Sequence, residues 1–235
     1  MLNQIKQNYY YAKCRIRNFT SAIVHRKKLP KLDKYSMEIV SDLNKYGYHV
    51  TSLDKLNVID TELMLKDAHE CINRLGEKAQ KGPKGFVLSP SRKEISKYNN
   101  LIKWGLNEWL LDIAESYLRL PVSYKGPLVR KDFPNGQKSE TRLWHRDGED
   151  FKILKVAVYL NNVSKKKGPL MAIPKSFAPP KKILKNKGPK MRVEDEEMEN
   201  FVKRKHWKSL TGKKGTVVFI DTAGIFHCGG MQIDG

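Results

Sequence analysis

The sequence has few cysteines and no long uninterrupted apolar run. No stretch approaches the roughly 18 apolar residues that a membrane-spanning helix needs, and no secretory apolar segment stands at its start. The three cysteines, Cys14, Cys71 and Cys228, show no Cys-x-x-Cys spacing. An odd and sparse cysteine count without an export signal favours a reducing compartment. These absences predict a cytoplasmic chain that does not span a membrane.

Acidic residues are also scarce. The chain carries 45 Lys and Arg against 25 Asp and Glu, a formal net charge of +20. Residues 1–28 contain seven Lys or Arg and residues 165–192 contain ten, and neither segment contains an acid. A basic surface concentrates anionic ligands, which makes an anionic small molecule a candidate partner, although many charge runs are only solvated faces. Nucleic acid is not favoured, because the second segment lacks the interleaved aromatic side chains of a single-strand platform.

The chain divides into a basic N-terminal extension, residues 1–35, and one predicted domain, residues 36–235. Within that domain, residues 36–120 show mainly helical patterns. Residues 121–235 show strand patterns, with a lid-like insertion over residues 175–214. The sequence therefore predicts an α+β fold in which N-terminal helices buttress a core of strands.

Individual elements follow from the spacing of apolar residues. Helical spacing predicts three helices, with Ser36 as the cap of the first, along the stripes Met37-Val40-Leu43, Met64-Ala68-Cys71-Ile72-Leu75 and Trp109-Leu110-Ile113-Ala114-Tyr117-Leu118. Runs of β-branched, aromatic and aliphatic residues predict strands at 48–51, 122–129, 153–160, 170–173 and 216–220.

A His-x-Asp pair, His145 and Asp147, stands just before the predicted strand at 153–160. In a strand, residues i and i+2 project to the same face, so both side chains would point into one pocket. His227 follows the predicted strand at 216–220 and is the candidate third ligand. Two histidines and one carboxylate bind one face of an octahedral metal and leave the opposite face open, as in non-haem Fe(II) oxygenases. Such a pair also occurs by chance, so the spacing alone leaves a structural role open.

Three segments in this order carry a family resemblance. Residues 143–150 read Leu-Trp-His-Arg-Asp-Gly-Glu-Asp, residues 168–177 contain Gly-Pro-Leu and Ile-Pro-Lys-Ser-Phe, and residues 219–227 end in Phe-His. Over roughly residues 36–235 the chain resembles the phytanoyl-CoA dioxygenase-like family of Fe(II)- and 2-oxoglutarate-dependent oxygenases. The resemblance implies a double-stranded β-helix, a jelly-roll barrel, at whose open end iron is held by His145, Asp147 and His227. It also implies that 2-oxoglutarate and O2 are consumed and that succinate and CO2 are formed.

One family feature is missing. Relatives hold the distal carboxylate of 2-oxoglutarate with an arginine on the strand after the second histidine, but no arginine follows His227. We favour the explanation that the sequence stops short of the last barrel strand. The alternative is another basic residue. Lys155 shares a strand face with Tyr159, opposite an aliphatic face, and would either look into the barrel or snorkel to its rim. The candidate 2-oxoglutarate-binding residues are thus Lys155, Arg142 and Tyr159, although Arg142 is better explained as a surface charge.

The favoured function is an Fe(II)/2-oxoglutarate dioxygenase that hydroxylates a small or lipid-like substrate, which can be anionic. Asp147 favours hydroxylation over halogenation, because the family's halogenases replace this carboxylate with a small residue. The alternative is a non-catalytic basic module that binds a polyanion or nucleic acid on a degenerate oxygenase scaffold. A zinc hydrolase with the same ligands is a third hypothesis, and no obvious glutamate base supports it. Substrate identity and oligomeric state stay open.

Overall fold

The structure of the protein is a computed structural model that describes residue 16 and residues 18–75, 85–150, 152–180, 183 and 192–233. Cys14 and residues 1–15 of the basic extension lie outside the described residues, as does most of the stretch between residues 181 and 191. Within the described part, no helix combines the length and the apolar character that crossing a membrane requires.

Helices predominate in the first half of the described chain and strands in the second half. The helices are α1 (residues 18–25), α2 (Lys34–Lys45), α3 (Thr61–Leu75), α4 (Arg92–Ile95), α5 (Asn99–Gly105), α6 (Glu108–Leu118) and α7 (Asp195–Glu199). The strands are β1 (Tyr48–Ser52), β2 (Val87–Leu88), β3 (Lys131–Asp132), β4 (Leu154–Val158), β5 (Leu170–Ala172), β6 (Lys208–Leu210), β7 (Thr216–Asp221) and β8 (His227–Gly229).

Strand β7 is the centre of the fold. It lies between β1 and β4 in an antiparallel three-stranded sheet, and all six of its residues are buried. Because alternate residues of a strand face opposite sides, Val217 and Phe219 join the core beneath the helices, whereas Val218 and Ile220 join a second core. Strand β7 is therefore covered on both faces, which explains its uninterrupted apolar run.

The helices cover one face of this sheet. The buried sides of α2, α3, α5 and α6 share one hydrophobic cluster with β7. Asp33 caps helix α2, since its carboxylate accepts a hydrogen bond from the backbone of Ser36 at 2.8 Å, and the helix buries Ile39 and Leu43. Burial of side chains of this size contributes about 1.5–3 kcal/mol each to the stability of the folded state. The helical layer therefore stabilises the sheet on which the site is built.

A second antiparallel sheet, in the order β6–β5–β8, covers the other face. Ala172 and Leu210 of this sheet pack with Val218 and Ile220 of β7 in one cluster. The two sheets therefore sandwich a shared core. The turn at residues 222–226 leads from β7 in the first sheet to β8 in the second, and β8 begins with His227.

Most predicted elements are confirmed. The strands predicted at 48–51, 153–160, 170–173 and 216–220 correspond to β1, β4, β5 and β7, and the three predicted helices correspond to α2, α3 and α6. The details of α2 are wrong, because Asp33 rather than Ser36 caps it and Met37 is exposed while Ile39 is buried. Helices α4 and α5 were not predicted.

The strand predicted at 122–129 is wrong, because residues 121–130 form no strand. Gly126 adopts a positive φ of 93°, and Pro127 after it has no backbone N–H to donate to a neighbouring strand. Leu128 is exposed rather than packed. The apolar composition of this segment therefore indicated a strand that its Gly-Pro pair prevents.

Candidate metal centre

His145, Asp147 and His227 come together in the structure. One ligand atom of each lies within 4.8 Å of the other two, and no other group of this kind occurs among the described residues. The Nε2 atoms of His145 and His227 lie 3.8 and 3.9 Å from the same oxygen, Oδ1 of Asp147. The centroids of the two imidazole rings are 4.3 Å apart. One cation can therefore contact all three side chains.

Backbone pairing brings these distant residues together. His145 and His227 form an antiparallel bridge in which each backbone N–H donates to the other residue's carbonyl, at 3.0 and 2.9 Å. The backbone N–H of Asp147 donates to the carbonyl of Thr222 at 2.9 Å, in the turn between β7 and β8. The His145–Asp147 segment thus lies along the segment that leads into β8, and main-chain contacts set the spacing of the ligands.

Both imidazoles are oriented by backbone carbonyls. Nδ1 of His145 lies 2.8 Å from the carbonyl oxygen of Leu143, and Nδ1 of His227 lies 3.4 Å from that of Ile225. A carbonyl oxygen only accepts hydrogen bonds, so these contacts favour the proton on Nδ1 and leave the lone pair on Nε2. The Nε2 atoms are the ones that face Asp147, which is the arrangement a metal-binding histidine requires.

Burial sets the protonation of the cluster. Desolvation lowers the pKa of His145 to about 4, and desolvation together with the neighbouring His145 lowers the pKa of His227 to about 3. Burial alone would raise the pKa of Asp147, but hydrogen bonds from Lys155 and Thr222, together with the nearby charge of Lys155, outweigh burial and lower that pKa. At neutral pH the site presents two neutral imidazoles and one carboxylate, a donor set that fits a divalent iron ion.

Lys155 lies beside the cluster. Its Nζ donates to Oδ2 of Asp147 at 2.6 Å, and its side chain is 54% exposed. The aliphatic face predicted on this strand does pack against the helices, since Leu154, Val156, Val158 and Leu160 border the cluster beneath them. Lys155 therefore lies on the face away from the helices, next to the carboxylate and open to solvent.

The other two candidate 2-oxoglutarate residues have backbone partners. The interpretation of Arg142 as a surface charge is wrong, because Arg142 is buried. Its guanidinium donates to the carbonyls of Phe133 and Gln137 and to Oδ1 of Asn135, and so fixes the loop before the His145 segment. The hydroxyl of Tyr159, the residue directly after β4, donates to the carbonyl of Leu210 in β6 at 2.5 Å. Both side chains therefore stabilise the fold through hydrogen bonds to the backbone.

Arg192 faces the site and was not singled out from the sequence. Trp144 and Val193 form an antiparallel bridge. Continued by one residue, the same register pairs Arg192 with His145. Its charge reaches His145, where it helps to lower the histidine pKa after the larger effect of burial. The Nε atom of Arg192 is buried and has no hydrogen-bond partner in the described structure. In the sequence this arginine was only the last member of a basic run.

A buried network behind the site was also missed. The carboxylate of Asp221, at the end of β7, accepts hydrogen bonds from the hydroxyl of Tyr117 and from the backbone of Gly224, the latter at 2.7 Å. Nζ of Lys175 donates to the Tyr117 hydroxyl at 2.8 Å and lies 3.5 Å from Asp221. Nε of Arg146 donates to the carbonyl of Ala223 at 2.6 Å. These contacts fix the turn from β7 to β8, which carries the Thr222 carbonyl and leads to His227.

Cys228, the neighbour of His227, belongs to the core rather than to the site. Burial raises the pKa of its thiol, and the side chain packs in the cluster that contains Trp144 and Ile173.

Solved structures with the same overall fold are enzymes of one chemical class. EctD from S. alaskensis, solved with bound Fe, is 19% identical, with 86% of this chain and 72% of that chain covered and a TM-score of 0.53. The epimerase SnoN from nogalamycin biosynthesis, described as non-haem and α-ketoglutarate dependent, is 14% identical, with 85% and 77% covered and a TM-score of 0.54. HygX from Streptomyces hygroscopicus, solved with nickel, 2-oxoglutarate and hygromycin B, is 12% identical, with 87% and 83% covered and a TM-score of 0.53. At these identities the likeness shows the fold, a mixed helix and strand fold shared with Fe/2-oxoglutarate oxygenases.

The family assignment comes from the sequence itself. The phytanoyl-CoA dioxygenase (PhyH) family matches residues 110–230, just over half of the 235 residues. A comparison with curated protein sequences found no match. The chain belongs to the phytanoyl-CoA dioxygenase family, as the sequence motifs predicted. It is a non-haem Fe(II)/2-oxoglutarate-dependent enzyme, and Fe(II) and 2-oxoglutarate are the cofactors of that class.

Proposed function

We propose that this protein is a dioxygenase that hydroxylates a small or lipid-like anionic substrate, with His145, Asp147 and His227 as its iron ligands. The observation that carries this proposal is the buried cluster of two neutral imidazoles and one carboxylate around a common point. We further propose that the two three-stranded sheets are the halves of a double-stranded β-helix, and that residues 36–235 form one domain.

Each residue of the cluster has a defined task. His145 and His227 would hold the metal through Nε2 while the carbonyls of Leu143 and Ile225 keep their rings in place. Asp147 would supply the one anionic ligand. The bound iron supplies the redox chemistry that activates O2 with 2-oxoglutarate. The protein's own side chains bind and orient the reactants.

Lys155 is the residue that we assign to a carboxylate of 2-oxoglutarate. An ammonium group has three donors, and Nζ uses one of them on Asp147. A second donor can therefore reach the carboxylate of a co-substrate bound beside Asp147. The hydrogen bonds of Arg142 and Tyr159 to backbone carbonyls leave Lys155 as the best supported of the three candidates.

Arg192 supports an anionic substrate. It lies across from His145, it is partly buried, and its Nε lacks a partner in the described structure. A buried guanidinium donor without an acceptor is costly, and an anionic group in the site would satisfy it. The substrate class that fits is a carboxylate, phosphate or sulfate ester with an aliphatic position near the metal.

The assignment of Asp147 is tested with the Asp147→Ala variant. Without the carboxylate the site keeps two neutral ligands. Fe(II) affinity and the conversion of 2-oxoglutarate to succinate should therefore fall by at least about a hundredfold, because loss of a residue that only contacts a metal ligand already costs about 10- to 100-fold. Iron per chain and succinate release would be measured after anaerobic iron loading.

Glu149→Ala is the matched control, because Glu149 is an exposed acid two residues away and should leave both quantities unchanged. Wild-type turnover by the Asp147→Ala protein would defeat the ligand assignment. Strong salt-dependent polyanion binding, with no iron uptake by the wild-type chain, would favour the non-catalytic binding module instead.

A further inference from the structure

Helix α1 and the helical residue Ile16, which lies two positions before it, turn apolar side chains toward solvent. Ile16, Phe19, Ile23 and Val24 are between 58% and 71% exposed. Residues 16, 19 and 23 follow the i, i+3, i+7 spacing that places side chains on one face of a helix. The opposite side of the helix carries Ser21, Ala22 and His25, which are partly buried. A helix that packs on its own domain shows the reverse pattern, with apolar residues inside.

This helix is nevertheless attached to the domain. Nε2 of His25 lies 2.5 Å from Oε1 of Glu115 on α6. Both side chains are mostly buried, so the contact fixes the small and polar side of α1 against the helical layer. The apolar stripe is therefore held outward, on a defined surface of the folded protein.

Positive charge follows the apolar stripe along the chain. Arg26, Lys27 and Lys28 form an exposed turn directly after the helix. Residues 1–28 as a whole contain seven Lys or Arg and no acid. A partner that approaches the described part of this segment meets exposed apolar side chains, the hydroxyl of Thr20 and the charges of Arg26, Lys27 and Lys28, and no acid.

These two properties together match one kind of surface. A bilayer that contains anionic lipids accepts apolar side chains at the boundary between head groups and acyl chains, while its phosphates attract adjacent Lys and Arg. Nucleic acid would use the positive charge but would leave Phe19 and Ile23 in water. A groove on another protein would take the apolar stripe but would need no acid-free basic flank.

We propose that α1 lies in the plane of an anionic lipid bilayer and docks the protein on membranes through Ile16, Phe19, Ile23 and Val24. Such a helix lies on the surface and does not cross it, which agrees with the lack of a membrane-crossing helix in the described part of the chain. This proposal is independent of the metal site and goes beyond the proposed hydroxylation.

The test is co-sedimentation of the full chain with vesicles. Binding is expected with vesicles of phosphatidylcholine mixed with phosphatidylglycerol, and little binding with phosphatidylcholine alone, because both the apolar and the electrostatic contribution are needed. The double variant Phe19→Ser/Ile23→Ser should bind the mixed vesicles at least about tenfold more weakly, since two apolar side chains no longer enter the bilayer. Circular dichroism would verify that the variant stays folded.

The matched control replaces two apolar residues elsewhere that are somewhat more exposed than Phe19 and Ile23, Ile59→Ser and Leu128→Ser, at 75% and 72% exposure. This control should bind like the wild type. Equal loss in both double variants, or no binding to mixed vesicles at low salt, would overturn the proposal. So would a concentration-dependent dimer that dissociates in the Phe19→Ser/Ile23→Ser variant without any vesicle binding, since α1 would then contact a second copy of the chain.

Discussion

At the scale of single residues, charge next to the metal cluster decides what the site can bind. Lys155 and Arg192 approach the cluster from two different segments, one through Asp147 and the other opposite His145. We assign the first to 2-oxoglutarate and the second to the substrate. Because these roles concern different molecules, substitutions of the two residues should have separable effects on kinetics.

The Lys155→Met variant should raise the KM for 2-oxoglutarate roughly ten- to a hundredfold, because a charge-assisted hydrogen bond contributes about 1.5–3 kcal/mol. The measurement is substrate-independent succinate formation as a function of 2-oxoglutarate concentration, with Arg192→Gln as the comparison. Arg192→Gln should leave that KM unchanged. If instead Arg192→Gln raised it and Lys155→Met did not, the two assignments would have to be exchanged.

At the scale of elements, the turn between β7 and β8 positions the ligands. It presents the Thr222 carbonyl to Asp147 and leads directly to His227. The Asp221 carboxylate closes the turn by accepting from Tyr117 and Gly224. A Cβ atom at Gly224 would collide with that carboxylate, which Tyr117 holds from the other side. The turn therefore has no room to adjust.

The Gly224→Ala variant should lower the free energy of unfolding by about 1–3 kcal/mol, the range for overpacking in a well-packed region. It should also weaken Co(II) binding, followed by the visible absorption of the ion, because displacement of Asp221 moves the turn that carries the ligand contacts. Gly229→Ala is the control in the neighbouring strand, since a Cβ there meets its nearest atom at 3.7 Å. Equal Co(II) affinity in both variants would show that the turn does not position the ligands.

The elements also show what the sequence could predict. The ligand set came from local spacing and the order of motifs, and strands β1, β4, β5 and β7 came from unbroken apolar runs. Arg192, Tyr117 and Asp221 could not be found this way, because their roles depend on contacts between segments far apart in the chain. The strand expected at 122–129 failed for a local reason, the Gly126-Pro127 pair.

At the scale of the whole molecule, the buried histidines connect stability to pH. Histidines of the unfolded chain have a pKa near 6.5, whereas those of His145 and His227 in the folded protein are about 4 and about 3. Below pH 6.5 the unfolded state therefore binds more protons than the folded state. Stability must then rise with pH across this window and fall as the solution becomes more acidic.

For the metal-free protein we expect the free energy of unfolding to fall by up to about 1.4 kcal/mol per pH unit for each of the two histidines between about pH 6 and pH 4. Urea unfolding at a series of pH values would measure this slope. The His145→Gln variant should show a shallower slope, because it removes one of the two contributions. Identical slopes for the two proteins would contradict the burial argument.

The bridge between His145 and His227 has a consequence for the topology of the chain. These residues are 82 positions apart in the sequence, and an ion held by both would cross-link them. Closing a loop of this length costs conformational entropy, and that cost grows only slowly with loop length. An ion bound by both histidines would hold the loop closed and so stabilise the fold, much as a removable covalent link does. The availability of iron would then determine the stability of the folded protein as well as its activity.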